Sequence, residues 1–308
     1  MVLPFAKFFI VSTAFLALPN ALRCGILRAP AMANLKNPSP EMTTQPPVVT
    51  FATLSDEGTE RGNNEDACGV HAEGPLHVLV AVADGVGGEE GGEIASRTAI
   101  DVTLRAYRES PVSWGPAKRL YRAVQQANID IHDRALVVTE LRRMATTLTA
   151  IVLDGGMVHA AHVGDSRLYL IRKGALLQKT KDHTVAGARR RVGLISAEAA
   201  RDHPERSTLT RSLGRDLIAA VDRLAFPLVE RDTLLLCSDG LYNVLGDDEI
   251  LAGMGAGDAE AACRALVSQA NGMGTPDNVT AAVVKVNGPL PDTPSTGIRA
   301  LLSRFFGA

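Results

Sequence analysis

The chain is poor in cysteine, in net charge and in long apolar runs, and each shortage removes a class of protein. Its four cysteines, Cys24, Cys68, Cys237 and Cys263, are scattered along 308 residues with no CxxC pair. That spacing disfavours a zinc knuckle or a disulfide scaffold and predicts reduced, mostly buried thiols, which suit the cytoplasm. A formal net charge of −2 points to neither a nucleic-acid binder nor a membrane-surface protein. The apolar stretch in MVLPFAKFFIVSTAFLALPNALRC is short and interrupted by Pro19, too little to cross a bilayer. With its single Lys it looks like a signal sequence, and an Ala-x-Ala-like site lies at Ala31 to Ala33, yet Met32 and Met42 offer alternative starts. We read residues 1–47 as a leader and linker, disordered or from a misplaced start, rather than an export signal.

Against those shortages, 46% of the residues are apolar and 21% charged, enough to bury a large core. Four short segments then carry an aspartate beside a turn-forming Gly or Asn: RGNNEDACGV at 61, ADGVGG at 83, SDG at 238 and PDN at 276. Three of them adjoin apolar, strand-like runs: HVLVAVADG over 77–85, TLLLCSDG over 233–240, and VTAAVVKV over 279–286 after the PDN turn. Carboxylates delivered to strand ends from distant parts of a chain can converge on hard cations. Gly85, Gly87 and Gly88 lack a following GK[ST] and any GxGxxG, so a nucleotide-phosphate loop is disfavoured and close backbone approach to a metal is the better use for them.

Residues 91–109 and 117–138 read as helices, with Ala95, Ala99, Val102 and Ala106 on one stripe and Leu120, Val124, Ala127, Ile131 and Ala135 on another. Strand-like runs start at 146, 157 and 167, and Asp154-Gly155-Gly156 and Lys173-Gly174 read as hairpin turns. Strands joined so tightly are antiparallel. The order strands, two helices, then more hairpins does not fit a doubly wound sheet. It predicts an α+β fold of two packed antiparallel sheets with helices outside. Ser196-x-Glu198 before AEAARDH predicts a short helix stopped at His203-Pro204. NGPLPDTPSTG after the last strand reads as a Pro-rich linker, and IRALLSRFFGA as either an amphipathic docking tail or a frayed terminus.

The ordered set RGNNED, DGVGG with GGEIAS, TTLTA, HVGDSRLYL, KDHT, RSLG, SDGLYNVL and DNVTAAVV resembles the metal-dependent protein phosphatase family, the protein phosphatase 2C-like serine/threonine phosphatases, in its bacterial form. The match spans about residues 48–287, which we read as the catalytic domain, with residues 288–308 as linker and tail. The resemblance implies an α-β-β-α sandwich with a metal centre between the sheets. It implies hydrolysis of phosphoserine and phosphothreonine by a water bridging two Mn²⁺ or Mg²⁺ ions, which prefer oxygen donors. By resemblance Asp84 bridges the metals, the Gly85 carbonyl completes one site, Asp239 and Asp277 hold the other, Asp66 acts directly or through water, and Asp165 shares a third, weaker site with Asp239. Arg61 corresponds to the family's phosphate clamp, a role that suits a guanidinium fork. His162 and His183 read as packing and structural histidines rather than acid–base groups, and Ser166 and Arg167 as structural.

One departure bears on the leaving-group acid. Relatives carry a histidine directly after the Asp-Gly or just after the second Gly pair, where this chain has Val86 and Glu89. That leaves metal-bound water or Glu89 as proton donors. Residues 183–211 correspond to the family's flap, in which Arg189, Arg190 and Arg191 read either as a solvated helix face or as a surface for the acidic side of a phosphoprotein. A cysteine nucleophile is disfavoured because no cysteine begins a CxxxxxR loop. The implied partners are phosphoproteins and a cognate bacterial serine/threonine kinase, for a monomer that neither binds nucleic acid nor inserts stably into membranes. A non-catalytic phosphoprotein-binding relative and a general phosphomonoesterase stand as the alternatives.

Overall fold

The computed structural model of the chain describes residues 48–86 and 91–291. The readings of the 1–47 leader, Cys24, Gly87, Gly88, Glu89 and the IRALLSRFFGA tail lie outside those residues.

Two antiparallel sheets stack face to face. The first runs β1 (Val49–Asp56), β11 (Val279–Val286), β10 (Thr233–Cys237), β7 (Arg167–Arg172), β8 (Ala175–Gln178). The second runs β2 (Asp66–Gly74), β3 (His77–Val86), β5 (Leu148–Asp154), β6 (Met157–Val163), β9 (Asp222–Pro227), with the two-residue β4 (Ala145–Thr146) on the end of β3. Helices α1 (Gly91–Glu109) and α2 (Gly115–Val137) cover the second sheet, while α5 (Asp239–Tyr242), α6 (Asp247–Met254) and α7 (Ala259–Gly272) cover the first. The predicted α-β-β-α sandwich is the observed one. Helices α3 (Val185–Arg191) and α4 (Ala197–Arg201) sit in the excursion between β8 and β9.

Strand β3 shows why its sequence is a continuous apolar run. Leu79, Ala81 and Ala83 face α1 and α2 with Ala95, Ala99, Leu120 and Val124. Val78, Val80 and Val82 face the other sheet, against Leu168, Leu170, Leu234, Leu236, Ala282 and Val284. A strand buried on both faces has no polar alternation to display. Continued by one step, the same parity turns Asp84 toward the layer between the sheets. Lys173 and Gly174 form the β7–β8 hairpin with φ of 53° and 77°, the left-handed pair that a two-residue turn of type I′ demands. Cys237 and Cys263 are buried and Cys68 half-buried, with no disulfide among them.

Candidate metal centre

Five strand ends deliver carboxylates to one open edge of the layer between the sheets. Asp66 opens β2 directly opposite Asp84 near the end of β3. Asp239 opens α5 just past β10, and Asp277 lies in the turn before β11. Asp165 sits in Gly164-Asp165-Ser166, where the chain leaves β6 in the second sheet and enters β7 in the first. Asp84, Gly85, Asp165, Asp239, Asp277 and Arg61 all line one cleft of about 730 Å³, with Glu65, Val86, Thr147 and Asn278. Asp66 lies behind this wall, buried.

The crowding is visible in the protonation of these groups. Burial first, then the Asp66, Asp239, Asp165 and Asp277 charges, hold the Asp84 carboxyl well above the usual carboxylate range. Burial, then Asp239 and Asp182, do the same for Asp165. Asp66 is pushed up to about 7 by burial, with Asp239 and Asp277 adding to it against hydrogen bonds from Ser238 and Thr280. Burial and Asp277 push Asp239 to about 6. An all-oxygen set of carboxylates that repel one another out of water is chemically matched to hard divalent cations. Among the described residues no three His, Cys, Asp or Glu side chains close around a single point. Mg²⁺ and Mn²⁺ tolerate such a sparse cradle because they keep several waters as ligands.

The backbone around the carboxylates is fixed by neighbours. The Asp84 N–H donates to Thr147 Oγ1 at 2.9 Å, while its carbonyl accepts from Thr147 N–H and Thr146 Oγ1, each at 2.8 Å. Thr147 Oγ1 and Ser166 Oγ are 2.5 Å apart, joining the Asp84 strand end to the Asp165 turn. Ser238 Oγ donates to Asp66 Oδ2 at 2.6 Å and accepts from Thr280 N–H at 2.9 Å, so Asp66 is tied across to the other sheet. A Cβ on Gly85 would overlap the Gly92 carbonyl, and one on Gly240 would overlap the Asn278 carbonyl. These glycines let the chain segments close on the site.

Arg61 reaches the same cleft, 48% exposed, and pairs with both Asp277 oxygens at 3.0 Å. Arg167, read from the sequence as structural, pairs with Asp182 and stacks on the Tyr242 ring at 3.5 Å, while the Tyr242 hydroxyl donates to the Asp165 carbonyl at 3.1 Å. His162 is buried among Thr149 and the Lys181 carbonyl, with burial and His183 pushing it down to about 4. His183 accepts the Gly164 N–H at Nδ1 and faces Asp222 at Nε2, 3.2 Å away. Neither histidine lines the cleft.

Two residues were not singled out from the sequence. Glu65 lines the cleft, its carboxyl raised by burial, and its backbone carbonyl accepts the Gly85 N–H at 3.1 Å. Asn278 accepts the Glu65 N–H and donates to the Glu57 and Asn63 carbonyls, each at 2.9 Å, locking the RGNNED loop. Only their adjacency to Asp66 and Asp277 hinted at them.

Comparison with known proteins gives a consistent set of relatives. Residues 59–258 match the family described as Protein phosphatase 2C. Serine/threonine phosphatase stp of Listeria innocua is 34% identical over 244 residues, covering 76% of this chain and 94% of its own length. Serine/threonine protein phosphatase PstP of Mycobacterium tuberculosis is 36% identical over 240 residues, 78% of this chain and 45% of PstP. The crystal structure of that phosphatase superposes with a TM-score of 0.71 at 35% identity, over 78% of this chain and all of its own. The PstP catalytic domain in complex with two manganese ions gives 0.69 at 34% identity, covering 78% of this chain and 99% of its own.

Proposed function

The chain belongs to the protein phosphatase 2C family and is a metal-dependent serine/threonine protein phosphatase, and from that premise we propose how its own residues divide the work. The observation that carries the reading is the convergence of Asp84, Asp165, Asp239, Asp277 and Arg61 on one cleft, with Asp66 immediately behind it. Asp84, the Gly85 carbonyl, Asp239 and Asp277 hold two Mn²⁺ or Mg²⁺ ions, Asp66 acts on them directly or through water, and Asp165 with Asp239 serves a third, weaker site. When bound, such ions neutralise a phosphomonoester dianion and lower the pKa of water enough to supply a nucleophile at neutral pH.

The protein's part is placement. Asp84 is held through its own N–H and C=O by Thr147 and Thr146, so its carboxylate is presented without rearrangement. Asp66 accepts from Ser238 at Oδ2 and is hydrogen-bonded by Thr280 as well. Arg61, half-exposed at the cleft, clamps the substrate phosphate through its fork of donors. Val86 lines the cleft at 45% exposure and has no proton to give a leaving serine or threonine oxygen. The catalytic domain covers residues 48–287 with residues 183–211 as flap, and it acts as a monomer in the cytoplasm on phosphoproteins, opposing a bacterial serine/threonine kinase. Among the described residues no helix is long and apolar enough to cross a membrane.

The test is hydrolysis of a phosphothreonine peptide and p-nitrophenyl phosphate with and without Mn²⁺, alongside Asp239→Asn. Activity that needs Mn²⁺ and is lost in the variant supports these assignments. Full activity in Asp239→Asn overturns the ligand set.

A further inference from the structure

Between Lys181 and Arg211 seven basic side chains stand against four acidic ones, in a chain of net charge −2. Three of the seven, Arg189, Arg190 and Arg191, are consecutive and exposed on the last turn of α3. A helix macrodipole favours one cation in that turn by a few tenths of a kcal/mol to about 1 kcal/mol; it does not call for three neighbouring ones that repel each other. The helix is also joined to the catalytic cleft. Its first N–H, of Val185, donates to the Thr208 carbonyl at 3.0 Å, and Thr184 pairs with Leu209, while Ser207 and Leu209 line the cleft.

The three arginines are not equivalent. Arg189 pairs with Glu205 at 3.1 Å and Arg191 donates to the Asp182 carbonyl at 3.2 Å. The Arg190 carbonyl accepts from the Gly193 N–H at 3.0 Å, but its side chain makes no hydrogen bond or ion pair with any described residue. Consecutive helical positions fan out by about 100°, so pinning Arg189 and Arg191 leaves the guanidinium of Arg190 free between two ordered cations. Val192 and Leu194 follow, 71% and 73% exposed.

We propose that this turn is a docking subsite for acidic residues flanking the phosphorylated serine or threonine of a protein substrate, with Val192 and Leu194 receiving an apolar neighbour. The proposal deepens the phosphatase reading of the cleft and rests on it. From Val185 to Arg190 the helix rises about 8 Å at 1.5 Å per residue, a span that an extended peptide covers in two or three residues at about 3.3 Å each. The acidic positions therefore lie at least about two to three residues from the phosphorylated one, and further by the distance from the helix start to the phosphate.

The experiment compares Mn²⁺-dependent hydrolysis of phosphothreonine peptides carrying two Asp at those positions, on either side, with matched Asn peptides. Wild type should show a lower KM for one acidic peptide at equal kcat. Arg190→Ala should raise that KM about two- to fivefold, the range that one exposed ion pair sets, and leave the Asn peptide unchanged. Arg190→Lys should keep most of the preference, Arg190→Glu should reverse it, and added salt should erode it. p-Nitrophenyl phosphate, too small to reach α3, serves as the internal reference. No Mn²⁺-dependent hydrolysis of it overturns the phosphatase reading and the subsite with it. Equal KM for acidic and Asn peptides in a protein active on p-nitrophenyl phosphate overturns the subsite alone.

Discussion

Raising the pH on protein stripped of divalent ions should weaken it, because the folded chain holds protons that the unfolded chain gives up. Asp66 binds its proton up to about pH 7 in the fold, against 3.8 for an ordinary aspartate. Asp239 does so up to about pH 6. Each pH unit over which the folded state holds one extra proton removes about 1.4 kcal/mol of stability as pH rises. Asp66 therefore contributes a loss of about 4 kcal/mol between pH 4 and pH 7, and Asp239 about 3 kcal/mol between pH 4 and pH 6. Well below pH 3.8 both penalties vanish, since the carboxyls are then protonated in both states. Against a typical total of about 5–15 kcal/mol the effect is large. Asp66→Asn removes the charge while its amide oxygen can still accept from Ser238. Urea unfolding in EDTA at pH 5, 6, 7 and 8 should show the variant gaining on wild type as pH rises, by about 3 kcal/mol between pH 5 and pH 8. A stability difference that is flat across this range would refute the view of Asp66 as a buried, repelled carboxyl.

The same protons should appear in the metal titration: at pH 6.5 Mn²⁺ binding should displace one or more of them, so calorimetric heats will differ between buffers of low and high ionisation enthalpy, and buffer-independent heats count against the assigned ligand set. Gly85→Ala places a methyl against the Gly92 carbonyl and should lose about 1–3 kcal/mol in urea unfolding, as overpacked sites do. Thr147→Val leaves the Asp84 N–H without its acceptor and should lose about 1–3 kcal/mol and lower kcat, with the thermal melt and p-nitrophenyl phosphate kinetics as the readouts; an unchanged kcat would detach Thr147 from the placement of Asp84. Arg61→Ala should raise KM for phosphopeptides while sparing Mn²⁺ affinity within about fivefold, since its exposed pair with Asp277 is worth at most about 1 kcal/mol.

Much of the fold was legible because burial on two faces and on one face write different patterns. HVLVAVADG announced β3, and its parity carried through to Asp84. The stripes of α1 and α2 pack as their spacing required. Ser196 caps α4 by accepting the Ala199 N–H. What escaped notice acts through the backbone of segments far apart in sequence. Asn278 and Glu65 meet across 213 positions, and Thr147 reaches Asp84 across 63. No local period reports such a meeting. The helix start of α2 at Gly115, two residues ahead of the expected one, follows from Pro116 in its first turn, where a missing N–H is harmless.

The pairing of β1 with β11, Val49 against Val286, also sets when the protein can begin to work. A chain leaving the ribosome from its N-terminus carries β1 unpaired while more than 200 residues are still to be made, and the turn bearing Asp277 is among the last of the site to emerge. At about 5–20 residues per second that wait is of order ten seconds or more. Nascent and prematurely terminated chains therefore lack a complete site, and dephosphorylation is withheld until the last strand is in place.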